Sequence, residues 1–123
     1  MSNSWFQFKQ FRVEQGDSAM KVCTDACIQG AWTARHLQSS PHPERILDIG
    51  AGTGLLGLML AQQTTSIIHA VELDPASARQ GMVNFGSSPW ATRLWLAEGD
   101  IRTFKFEDRY DFIISNPRSS GKT

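Results

Sequence analysis

From residue 45 onward, short apolar blocks alternate with longer stretches in which apolar positions recur at helical spacing. Taken in order they predict a strand over 45–49, a helix over 54–63, a strand over 67–72, a helix over 75–86 and strands over 93–98 and 109–114. Strands separated by helices favour a parallel sheet in an α/β fold. Right-handed crossovers then place the strands in the spatial order three, two, one, four, with their carboxyl ends along one edge. The preceding segment differs in pattern. Phe6, Phe8 and later Val13 alternate with polar residues, which predicts a hairpin with arms 5–14 and 19–23 and a turn at Gln15-Gly16-Asp17. A helix is expected over 25–37. The loop Ser39-Ser40-Pro41-His42-Pro43 divides an N-terminal hairpin and helix, residues 1–40, from an α/β core, residues 41–123.

Composition narrows the class without naming a function. A chain of 123 residues, 41% hydrophobic, holds one core and is too short for two domains. Its 12 basic and 12 acidic residues cancel, and both signs are spread evenly, so no basic stripe marks a chain that grips nucleic acid by charge alone. No apolar run approaches the roughly 18–20 residues of a membrane helix, and no basic segment followed by an apolar block opens the chain. The expected compartment is the cytoplasm. Cys23 and Cys27 stand four apart with no other cysteine, so buried unpaired thiols are expected rather than a metal site.

Candidate chemistry concentrates where the first core strand meets its helix, in Asp48-Ile49-Gly50-Ala51-Gly52-Thr53-Gly54-Leu55. Glycines suit such a turn because it needs unusual backbone angles and because a Cβ would block a ligand lying against the main chain. Gly50, Gly52 and Gly54 are therefore candidate binding residues. Gly52, Gly54 and Gly57 also satisfy G-x-G-x-x-G, the dinucleotide pattern, so spacing alone leaves the ligand open. Asp48, two residues before Gly50, would face a ligand seated on the turn and suits an ammonium better than a phosphate. Glu72, at the end of the second strand, is placed to accept the hydroxyls of a ribose. Asp74, ahead of Pro75, reads as a helix cap. A nicotinamide enzyme and an S-adenosylmethionine enzyme both remain allowed by these residues.

Tyr110-Asp111-Phe112-Ile113-Ile114-Ser115-Asn116-Pro117 brings Asn-Pro to the same edge. Here the chain resembles the class I S-adenosylmethionine-dependent methyltransferases that modify exocyclic amino groups, whose motif is Asn/Asp-Pro-Pro-Tyr/Phe. Phe8-Lys9-Gln10-Phe11, Ala19-Met20-Lys21-Val22, Thr24-Asp25, Gly30-Ala31-Trp32 and Ser88-Pro89-Trp90-Ala91 extend the likeness over residues 5–117 to the bacterial family that forms N6-methyladenosine at position 37 of valine tRNA. The resemblance implies a Rossmann-like sheet, S-adenosylmethionine as cofactor and tRNA as substrate. It implies that Asn116 and the carbonyl of Pro117 accept the two hydrogens of the target amino group, without a metal. It assigns Glu72 to the cofactor ribose, Asp100 to its adenine amino group, Ile101 to the ring through its main-chain NH, and Asp48 to the methionine ammonium. Thr24 and Asp25 would close over the methionine end. Other amino-group methyltransferases, acting on protein glutamine or DNA adenine, share the Asn-Pro core, and a non-catalytic cofactor-binding remnant is a third class.

The chain departs from the motif after Pro117. Arg118 and Ser119 stand where the family has a second proline and an aromatic that stacks on the target base, a contact worth roughly 1–3 kcal/mol. Cys23 and Ala26-Cys27 replace small residues typical of the methionine-end contacts. Thr123 falls where a seven-stranded sheet would have three strands to come, so the resemblance implies a truncated or frameshifted copy with methyl transfer near background. An open edge on strand 109–114 would then favour self-association. Gly121-Lys122-Thr123 is not a phosphate loop, because Asn116 occupies the position of its first glycine.

Overall fold

The computed structural model describes residues 5–7, 12–14, 24–38, 41–106 and 108–115, with side chains from residue 30 onward. Two short strands, β1 (Trp5–Gln7) and β2 (Arg12–Glu14), pair antiparallel and are followed by helix α1 (Thr24–Gln38). The core then runs β3 (Arg45–Ile49), α2 (Leu55–Gln63), β4 (Ile67–Glu72), α3 (Pro75–Gly86), a 3-10 turn at Ala91–Arg93, β5 (Leu94–Glu98) and β6 (Phe112–Ser115). All pairings in the main sheet are parallel, in the order β5-β4-β3-β6, which is the predicted three, two, one, four.

Local chemistry explains the boundaries. Helix α3 starts at Pro75 because Asp74 caps it: its Oδ2 accepts from the Ser77 NH at 2.9 Å, and proline fits a first helical turn, where its missing NH costs nothing. At the end of α2, the guanidinium of Arg93 donates to the Ala61 carbonyl at 2.7 Å and to the Ser66 carbonyl at 2.8 Å, so a residue predicted to open a strand instead ties the helix end to the sheet. The strand predicted from 109 begins at Phe112. Asp111 is used before it, its Oδ2 accepting from the Glu44 and Arg45 NH groups at 2.8 and 3.1 Å and so fixing the start of β6 beside that of β3.

The N-terminal hairpin differs from expectation. Both described strands lie within the stretch predicted as one arm, with Trp5 opposite Glu14 and Gln7 opposite Arg12. Phe8-Lys9-Gln10-Phe11 contains neither glycine nor proline, the usual marks of a turn, and the glycine of 15–17 drew the prediction there instead. The predicted turn 15–17 and second arm 19–23 lie outside the described residues.

One face of the sheet carries the core. Ile46, Ile68, Ala70, Leu96 and Ile114 alternate toward α1, α2 and α3, which supply Ala34 and Leu37, Leu55, Leu56, Leu58 and Leu60, and Ala78 and Phe85. Full burial of such side chains stabilises by about 1.5–3 kcal/mol each before entropy is counted. Gly30 lets α1 approach α2 closely; a Cβ there would lie 2.5 Å from the Met59 sulfur. On the opposite face Trp95 and Ile113 remain 46% and 58% exposed.

Candidate functional site

The carboxyl ends of the four strands meet at one edge. Ile49 lies opposite Val71 and Ser115, and Glu72 opposite Glu98, so the chain leaves β3, β4, β5 and β6 on the same side. Between β3 and α2 the turn is built from glycines in the left-handed region: Gly50 at φ 73°, Gly52 at φ 60° and Gly54 at φ 94°. A side chain at any of the three would be strained. The NH groups of Gly50 and Ala51 donate to the Val71 carbonyl at 2.9 and 3.2 Å, anchoring the turn to β4.

Glu72 organises this edge. Its Oε1 accepts from the Gly52 NH at 2.6 Å and its Oε2 from the Asp74 NH at 2.9 Å, so one buried carboxylate joins the glycine turn to the start of α3. Each oxygen retains a lone pair for a further donor. A pyrophosphate would have to compete for the Gly52 NH with a carboxylate. Asp48 is fully buried behind the turn, and neither of its oxygens has a hydrogen-bond partner. Burial pushes its carboxyl up to about 8, and the neighbouring Glu72 carboxylate adds to the shift. An acid held this way gains most from a ligand that brings positive charge and NH donors.

Support comes from α3, which the sequence did not single out. Asn84, buried, donates from Nδ2 to the Thr53 carbonyl at 2.8 Å. Gly81 lets the helix touch the turn: a Cβ there would stand 2.6 Å from Leu96 Cδ1 and 3.2 Å from the Gly52 carbonyl oxygen. Phe85 packs under Gly54 and Gly57, where added Cβ atoms would lie 2.8 Å from its ring, so Gly57 serves packing rather than ligand approach. Gly81, Asn84 and Phe85 share a helix face by spacing, and a lone asparagine on that otherwise small or apolar face was the available signal.

Asp100 lies two residues beyond β5, at the same edge, but it is engaged. Its carboxylate accepts from the Arg102 main-chain NH at 2.9 Å and pairs with the Arg102 guanidinium at 2.6 Å, which holds its pKa down at about 2. Ile101 follows, half-buried. Thr24 and Asp25 begin α1, with their side chains outside the described set, as are those of Cys23 and Cys27. Asn116, Pro117, Arg118 and Ser119 lie outside the described residues. Among the described residues no helix is long and apolar enough to cross a membrane, and no cluster of His, Cys, Asp and Glu could hold a metal ion.

The methyltransferase small domain family matches residues 30–119. A relative from Cytophaga hutchinsonii, named tRNA1(Val) (adenine(37)-N6)-methyltransferase, is 52% identical over 119 residues, which is 95% of this chain and 48% of the relative. The chain spans about half the length of the curated relatives it matches. Among solved structures, P. horikoshii TYW2 in complex with MeSAdo superposes with a TM-score of 0.75 at 20% identity, covering 89% of this chain and 40% of that one. An SAM-dependent methyltransferase from Thiobacillus denitrificans in complex with S-adenosyl-L-homocysteine gives 0.60 at 15% identity, covering 77% and 39%. At these identities the two structures establish the fold.

Proposed function

Because the chain belongs to the methyltransferase small domain family, we propose that it serves tRNA adenine-N6 methylation, with S-adenosylmethionine as donor and adenine 37 of valine tRNA as target. The observation that carries this reading is the 52% identity, over 95% of the chain, to a relative bearing that name. The edge fits the cofactor. Asp48 supplies a buried acceptor for the methionine ammonium, Glu72 has capacity left for ribose hydroxyls, and the main chain is bare at Gly52, where a Cβ would meet nothing within 4 Å. Bound there, the cofactor supplies an electrophilic methyl on a sulfonium. The acidic pair Asp48 and Glu72 also disfavours a dinucleotide's pyrophosphate.

The rest of the assignment rests on the motif. Gly50, Gly52 and Gly54 shape the seat, and residues 1–40, with Thr24 and Asp25, cover the methionine end. Asp100 accepts from the cofactor adenine once the exposed Arg102 side chain swings away, and Ile101 donates from its NH. Adenine's amino lone pair is delocalised into its ring. Two acceptors, the side chain of Asn116 and the carbonyl of Pro117, would draw its hydrogens into line and restore nucleophilicity, so that acceleration comes from positioning and charge relief. With a tRNA substrate, the cytoplasm is the compartment in which this reading expects the activity.

Calorimetry with S-adenosylhomocysteine and with NAD tests the cofactor. Binding of the first and not the second is expected, and Glu72→Ala should weaken it by on the order of 1–3 kcal/mol; tighter binding of NAD would overturn the assignment. Labelled methyl transfer to valine tRNA transcripts carrying adenine or guanine at position 37 tests the target. The chain as it stands should label near background, with incorporation into the adenine transcript alone rising when Arg118→Pro and Ser119→Tyr restore the stacking motif, whereas equal labelling of both transcripts by that variant would refute the assignment.

A further inference from the structure

A second set of side chains converges on the sheet face away from the helices. His69 and Trp95 are register partners on β4 and β5, and strand alternation turns His69 away from the helix-covered Ile68 and Ala70. The crossover from β5 to β6 brings Phe104, Phe106 and Tyr110 to the same place. Ring centroids are 5.1 Å apart for His69–Trp95, 6.0 Å for Trp95–Phe104, 4.9 Å for Phe104–Phe106, 5.7 Å for Phe106–Tyr110 and 5.5 Å for His69–Tyr110. The last contact closes the circuit. Neighbouring planes are inclined by between 51° and 87°, so the rings meet tilted or edge-on rather than as a stack. All five rings line one cavity of about 430 Å³, with Lys105 and Asp108 completing its lining.

The five ring walls are uncharged, and Lys105 and Asp108 bring one charge of each sign to the lining. His69 Nδ1 and the Tyr110 hydroxyl are hydrogen-bonded at 2.7 Å, each satisfying the other. Burial lowers the imidazole's pKa and raises the phenol's, so both stay neutral near pH 7. On both rings the Asp108 carboxylate acts more strongly than the opposing Arg45 guanidinium. Aromatic faces are themselves negative and attract cations lying within about 6 Å of their centroids. A phosphate or carboxylate would meet repulsion from the ring faces and from Asp108, with Lys105 alone in the lining to attract it.

We propose that this enclosure binds an organic cation of the quaternary or alkylated ammonium class, with the aromatic rings as its walls and Asp108 as its counter-charge. The site is separate from the glycine turn and does not depend on the methyl-transfer reading. Lys105, although it contributes to the lining, is exposed, so its ammonium can stay in solvent when a cation enters.

The test is a nuclear magnetic resonance titration of the whole chain with choline chloride against potassium chloride at equal ionic strength. Choline should shift amides of residues 69, 95 and 104–110, and its methyl resonance should move upfield from the ring currents. The uncharged isostere 3,3-dimethylbutanol should bind about tenfold more weakly. Asp108→Asn, at an exposed position that leaves the fold intact, should weaken choline by about tenfold, as should Trp95→Ala if circular dichroism shows it folded. S-adenosylhomocysteine affinity should not change in Asp108→Asn. Equal binding of choline and its isostere, shifts no larger than those from potassium, or tighter binding of adenosine than of choline would each overturn the proposal.

Discussion

The glycine-turn edge and the aromatic enclosure are both candidate sites on one sheet, and they are held by opposite means. At the edge, position is fixed by main chain: three left-handed glycines, a carboxylate spanning two NH groups, and Asn84 gripping the Thr53 carbonyl. At the enclosure it is fixed by side chains from five separate positions touching in a circuit, with a single hydrogen bond among them. A main-chain site is rigid before its ligand arrives, because its parts are already bonded to the sheet. A ring-walled site owes its shape to packing and yields more readily to one substitution. The two also differ in cover, since the helices lie over one face and leave Ile113 and Trp95 exposed on the other.

The largest expected effect lies in the buried acid behind the turn. Below pH 3.8 both folded and unfolded chains keep the Asp48 proton. Between 3.8 and about 8 the unfolded chain releases it while the folded chain retains it, so stability falls as pH rises through that window and levels off above it. One proton corresponds to about tenfold in the folding equilibrium per pH unit. Asp48→Asn should remove this slope and stabilise the free chain at pH 7.5 in urea titrations. It should also weaken S-adenosylhomocysteine, whose ammonium would otherwise draw the proton off Asp48; calorimetry in two buffers of different ionisation heat would show that proton released by the parent chain and not by the variant. An unchanged slope in Asp48→Asn would mean that another group governs it.

Next in size is a test of the two faces. Ile114 is 8% exposed beneath the helices and Ile113 is 58% exposed opposite. Ile114→Lys buries an unpaired charge and should cost about 3–5 kcal/mol, enough to leave the chain largely unfolded. Ile113→Lys should stay within about 0.5 kcal/mol by urea denaturation. If strand β6 associates with another copy, Ile113→Lys should also lower the mass seen by light scattering, whereas an unchanged mass would argue against self-association there.

Much of the edge was legible in sequence because its constraints are local. A strand running into Gly50, Gly52 and Gly54 requires unusual backbone angles, and Asp48, Glu72 and Asp74 take their places by counting along strands and caps. The strand order followed from crossover handedness. What distance in sequence separates was not legible: Asn84 reaches Thr53 across 31 positions, and His69 meets Tyr110 across 41. Arg102's hold on Asp100 was missed for a different reason, because a short loop of charged residues carries no periodicity from which its pairing could be read. The hairpin prediction failed because Trp5–Gln7 and Arg12–Glu14, read as one arm, pair with each other, and no glycine or proline separates them to announce it.

Smaller in effect is Gly81→Val, which sharpens the claim that main-chain contact holds the edge. Its Cβ would press on the Gly52 carbonyl oxygen, which cannot rotate away as a side chain can, and on Leu96. Helix α3 must lift, and overpacking of this kind costs about 1–3 kcal/mol. Affinity for S-adenosylhomocysteine should fall with it, since the displaced contact is the turn itself. Gly86→Ala, at a position where a Cβ meets nothing within 4 Å, should leave that affinity unchanged and serve as the control. Loss of stability in Gly81→Val with undiminished affinity would show that the turn keeps its shape without α3.

Smallest is Tyr110→Phe, which removes the hydroxyl bonded to His69 and keeps the ring that closes the circuit. The net loss of a partly buried hydrogen bond is about 0.5–1.5 kcal/mol. The imidazole should keep the pKa below its ordinary value that burial imposes, because burial, rather than the phenol, is the leading cause of the shift. Histidine proton resonances followed against pH would measure this directly. If Tyr110→Phe instead loosened the enclosure, seen as lost contacts between the rings of Phe106 and residue 110 in nuclear Overhauser spectra, the circuit would depend on one polar bond, and the enclosure would resemble the edge more closely than its packing implies.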